Sequence, residues 1–145
     1  MNRLTVAVLL LAFALVFAPA STRAQDYQQL TPFLIDLEGW NAEPAEGMNM
    51  DMGAYKMINA VRSYTRDSRE LEAMIMIGNQ AMPQGPMETM HTESDDATMN
   101  MRDMDGFKVY TVHEKKENSG NVTVFLVQKE TQGAMFAISY QGISE

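Results

Sequence analysis

The sequence predicts an α+β domain, a mostly antiparallel sheet of about five or six strands with one or two short helices on one face. Three observations carry that expectation. Residues 69–77 alternate, with Leu71, Ala73, Ile75 and Ile77 on one side and Glu70, Glu72, Met74 and Met76 on the other. Asp105-Gly106 is a two-residue hairpin signal between two strand-like runs. Leu30, Phe33, Leu34 and Leu37 recur at spacings of three and four, which places them on one helical face. The chain has 145 residues, 46% of them hydrophobic, and no cysteine. That is enough for one domain with its own core. It excludes a disulfide scaffold, a cysteine-ligated zinc site, an iron–sulfur cluster and a thiol nucleophile.

In chain order, residues 1–24 read as a secretory signal peptide. Arg3 gives a positive start, Leu4 to Ala18 is uncharged and apolar, and Ala18-Pro19-Ala20 and Thr22-Arg23-Ala24 are two small-residue cleavage patterns, of which the second is favoured. The run is short for a membrane span, and cleavage after Ala24 leaves residues 25–145 as a single domain without a spanning segment. Removal of Arg3 and Arg23 leaves 9 basic residues against 19 acidic ones, a formal charge of −10. Such a surface repels nucleic acid and anionic membrane. It suits a cationic ligand or another envelope protein as partner, in a periplasmic or secreted setting.

The first helix is expected over 32–38, with Thr31 as N-cap, Pro32 at the first helical position and Gly39 after its end. Trp40 is the only tryptophan, and core anchoring accounts for it. Residues 41–54 contain Pro44, Gly47 and Gly53 without a sustained period and read as a loop. Strands follow over 55–64 and 69–77, joined by a turn at Thr65-Arg66-Asp67-Ser68. A second short helix is expected from Pro86 to about Glu93. A turn centred on Asp105-Gly106 sets Met104 opposite Phe107, Asp103 opposite Lys108, Met101 opposite Tyr110 and Met99 opposite Val112. Residues 122–128 are apolar on both faces and read as a central strand. The last strand, 134–140, carries Ala134, Phe136, Ile138 and Tyr140 on one side.

Catalytic patterns are weak. The two histidines are His91 and His113, and the sequence holds no nucleophile elbow, phosphate-cradling glycine loop or dinucleotide fingerprint. In EF-hand register Gly106 would put Met101 and Val112 at the first and last liganding positions, where neither side chain binds calcium. The reading is a non-enzymatic binding or accessory protein of the bacterial envelope.

The 14 methionines are the anomaly. Met74, Met76, Met99, Met101, Met104 and Met135 fall in expected strands and read as packing residues. Met48, Met50 and Met52 recur at every second residue in an acidic stretch, with Met57 just after. Met87, Met90 and His91 share a face of the expected second helix, with Met82 close before it. Thioethers are soft and favour Cu(I) or Ag(I). These spaced runs, residues 48–57 and 82–91, resemble the methionine motifs of periplasmic copper-handling proteins. That resemblance implies a Cu(I) site at Met48, Met50, Met52, Met87, Met90 and His91. A methionine-lined contact surface and an oxidant sink are the other readings of the same residues.

Overall fold

A computed structural model of the chain describes residues 26–53, 55–78, 81, 89–105, 107–129 and 132–143. The expected signal peptide, Met82 and Met87 lie outside the described residues. The strands, in chain order, are β1 (Asn41–Ala42), β2 (Glu46–Met52), β3 (Tyr55–Arg66), β4 (Arg69–Gly78) and β5 (Met90–Glu93). They continue with β6 (Ala97–Met104), β7 (Phe107–Glu114), β8 (Ser119–Lys129) and β9 (Gln132–Gln141). All lie in one sheet of order β1-β3-β4-β9-β8-β7-β6-β5, and β2 continues the β1 edge by pairing with β3. Every pairing is antiparallel.

The α+β expectation is therefore corrected to a β-rich fold, with nine strands among the described residues. The six expected strand segments are present, and three further strands come from the expected loop and the expected second helix. Residues 41–52 form β1 and β2 because the 12-residue β3 offers a free edge long enough for both. The break between them holds Pro44, which has no amide hydrogen to give to a ladder. Met90–Glu93 is extended and pairs with β6, so the helix expected to reach Glu93 does not form there. Ser94 closes that hairpin, its hydroxyl oxygen accepting from the amides of Asp96 and Ala97.

The first expected helix is replaced by two three-residue 3-10 turns, Tyr27–Gln29 and Thr31–Phe33. The chain leaves helical geometry at Leu34, with ψ 73°, and the Leu34 and Ile35 carbonyls bond to the sheet. An α-helix through 32–38 would use these carbonyls to accept from amides four residues on. Here two β3 side chains donate to them. Arg62 donates to the Leu34 carbonyl from one terminal nitrogen, to Asp36 from the other, and to the Glu43 carbonyl from Nε at 2.8 Å. The Tyr64 hydroxyl donates to the Ile35 carbonyl at 2.9 Å. The segment 26–40 is thereby held as a strap across one sheet face. Leu30 and Leu34 are buried in a core with Ala60, Tyr64, Ala73, Ile75, Ile77 and Ala134. Gly39 adopts φ +78°, a left-handed conformation that suits glycine, and turns the strap toward β1.

The hairpin at Asp105-Gly106 has the expected register in all four pairs, with Lys108 and Asp103 ion-paired at 2.8 Å. The earlier hairpin turns through Asp67 and Ser68, with Asp67 at φ 55°.

Two substitutions test the strap. A Cβ on Gly47 would lie 2.7 Å from the Tyr27 ring and 2.3 Å from the Asn59 carbonyl, so Gly47→Ala should cost about 1–3 kcal/mol in chemical denaturation. Burial pushes the Tyr64 hydroxyl above its ordinary value of 10.0, against a smaller opposing pull from Arg62. Stability from the neutral phenol is thus full below pH 10 and lost as pH rises through the folded-state value. Tyr64→Phe should cost about 1 kcal/mol near neutral pH, and its deficit against wild type should shrink on the alkaline side.

Candidate functional site

Antiparallel pairing sorts the sheet into two unlike faces. The strap face carries Ile58, Ala60, Arg62 and Tyr64 of β3, then Leu71, Ala73, Ile75 and Ile77 of β4, in register. Opposite β4 stand Ala134, Phe136, Ile138 and Tyr140 of β9, followed by Gly120, Val122, Val124 and Leu126 of β8. Across β7 and β6 the same face turns polar. It continues through Thr111 and His113, then Thr98, Asn100 and Arg102, to His91 and Glu93 on β5.

The sheet curls over this face, so that the strap and the β5–β6 edge line one cavity of about 900 Å³. Its apolar wall is Leu71, Val122, Phe136 and Ile138 from the sheet, with Phe33, Leu37 and Trp40 from the strap. Its polar wall is Thr98, Asn100, Arg102, Thr111 and His113, with Glu93 and Lys115 at the rim. Apolar and polar walls thus meet in one cavity.

The polar wall is ordered by its own contacts. His113 and Tyr140 stand opposite Gly120 on either side. Because Gly120 has no side chain, the two rings stack across it, centroids 6.2 Å apart at 20°, with His113 Nδ1 3.1 Å from the Tyr140 hydroxyl. His91 bonds through Nδ1 to the Asn100 side-chain oxygen. Lys115 reaches Glu93 at 2.9 Å and the Ser94 carbonyl at 2.8 Å. The hydrogen bond and charge of Lys115 hold Glu93 below the usual carboxylate range, with a smaller contribution from His91. Arg102 makes no ion pair among the described residues.

The chain matches no known protein family, curated protein or solved structure. The site is therefore read from its own geometry.

The expected metal ligands are distributed as follows. Met48, Met50 and Met52 do share one side, as β-strand residues on the face opposite the strap, and Met57 stands directly across from Met50. Met90 and His91 are consecutive in β5 and so point to opposite faces. Met87 lies outside the described residues. Among the described residues no three of His, Asp and Glu gather into a metal-binding group.

The strand methionines Met74, Met76, Met99, Met101, Met104 and Met135 are all half-buried. Among the described residues, no methionine belongs to the buried core cluster or to the hydrophobic residues packed against it. Met99 and Met101 face away from the strap, while their neighbours Thr98, Asn100 and Arg102 face the cavity. Hydropathy alone predicts the reverse. The available signal was the alternation itself, which separates the two sets without saying which is inward.

Gly120→Ala tests the ordering of the polar wall. A Cβ there would lie 2.5 Å from the Tyr140 hydroxyl and 2.3 Å from the Val112 carbonyl. The expected result is a loss of about 1–3 kcal/mol in stability and a shift of the His113 ring signals in NMR, with the His91 signals unmoved.

Proposed function

We propose that this is an exported, non-catalytic binding protein of the bacterial envelope, whose strap-covered cavity holds a small amphipathic molecule with an apolar tail and a carboxylate head. The observation that carries the reading is the division of one cavity into an apolar half and a polar half. A tail fits against Phe136, Ile138, Val122 and Trp40, where burial of each methylene contributes about 0.8 kcal/mol. A carboxylate suits Arg102, a guanidinium with no ion pair among the described residues, on the same cavity wall as the Asn100 amide. His113 is hydrogen-bonded to Tyr140. The leader-like residues 1–24 support export.

Trp40 lines the cavity and is the single tryptophan, so it reports directly on occupancy. Titration with a dansyl-labelled undecanoic acid should give saturable energy transfer from Trp40 with a micromolar Kd. Arg102→Ala should weaken that acid about tenfold, equivalent to about 1.4 kcal/mol, and leave the uncharged methyl ester unchanged. Absence of saturable transfer below the aggregation threshold of the probe overturns the reading.

A further inference from the structure

The face opposite the strap is made of methionine to an unusual degree. Of the eleven methionines within the described residues, all but Met104 project from it. They are not evenly spread. Met57 of β3 is the hub of the densest group. It stands directly opposite Met50 of β2, and Met48 and Met52 are diagonal to it on the same strand. On its other side it pairs with Gly78, which presents no side chain, and Met76 of β4 is diagonal to it there. Directly opposed positions have Cβ atoms about 4.5–5.5 Å apart, and diagonal neighbours about 7–8 Å. An unbranched methionine with three rotatable bonds spans either gap from both sides.

We propose that this group is a thioether site for one soft monovalent cation, Cu(I) or Ag(I), with Met57 and Met50 as the central ligands and Met48, Met52 and Met76 exchanging as the third, since Met48 and Met52 lie about 13 Å apart along β2 and cannot hold the ion together. Thioether sulfur selects such ions over hard cations. Met48 is 50% exposed and Met52 62%, while Met50, Met57 and Met76 are half-buried, so an ion enters without opening the fold. The formal charge of −8 on the whole chain favours association with cations in general. The site differs from the sequence-based set. It gains Met57 and Met76, which the sheet brings beside Met50. It leaves out His91, on the other face, and Met90, on the far edge strand. It is also independent of the cavity, which lies on the strap side.

The test is titration of the protein with silver nitrate in chloride-free buffer, followed by methyl NMR of labelled methionines. The expected result is saturation at one ion per chain, with shifts for Met48, Met50, Met52, Met57 and Met76 and none for Met99 or Met101. Met57→Leu keeps volume and apolarity, so folding is retained while affinity falls about tenfold or more. Met101→Leu should leave affinity unchanged. Thioethers do not titrate, so affinity should be constant between about pH 5 and 7.5, where imidazole protonates. The proposal fails if the methyl signals do not move below millimolar silver. It fails equally if all methionines shift alike, if Met57→Leu binds as wild type, or if affinity follows imidazole protonation.

Discussion

Arg62 is the residue on which the architecture turns. It sits on β3 with its side chain only 18% exposed, and its guanidinium ties the strap, at the Leu34 carbonyl and Asp36, to the Glu43 carbonyl in the segment between β1 and β2. The same guanidinium lies 5.5 Å from the centre of the Tyr64 ring, whose hydroxyl holds the Ile35 carbonyl. Charge-assisted bonds of this kind are about twice as strong as neutral ones, and fork geometry fixes direction as well as energy. With these bonds in place Leu34 sits outside helical geometry, at ψ 73°, and residues 26–40 do not continue as an α-helix. They become a strap whose leucines seal the core.

Everything functional follows from having a strap on one face. It determines which side of the sheet becomes the interior, and hence that Phe136, Ile138 and Val122 line a cavity. It also leaves the methionine face outside the core. Two glycines give this arrangement the room it needs. Gly47 lets the Tyr27 ring lie against β2 beneath the strap, and Gly120 lets His113 and Tyr140 meet across β8. In each case the partner strand's backbone also stands within 2.3 Å of where a Cβ would be, so the ladder itself requires the vacancy.

Legibility in the sequence followed the range of the interactions. The β6–β7 hairpin was readable to the residue, because Asp105-Gly106 sets a two-residue turn and the register then follows by counting. The β3–β4 hairpin and the alternation of β4 were equally local. The strands β1, β2 and β5 were not readable. Pro44, Gly47 and Gly53 weaken any local preference for strand, and pairing with β3 overrides it. For β5 the deciding contact is its ladder with β6, closed by Ser94. The methionine group was half readable. Met48, Met50 and Met52 alternate in the sequence, but their meeting with Met57 and Met76 depends on the registers of two separate hairpins.

By itself the sequence determined the six long strands, the turn at Asp105-Gly106, the acidic balance and the alternation that separates methionines from their neighbours on β4 and β6. It could not determine which alternating set faces inward, because a period of two looks the same from either side. Nor could it show that a leucine stripe at helical spacing would be held as a strap. Only the tertiary structure decided both, through one event: Arg62 and Tyr64 capture the carbonyls of residues 34 and 35 and bring Leu30 and Leu34 down onto Ala60 and Ile75. That contact spans nearly 30 residues of sequence and has no signature in any short window of it.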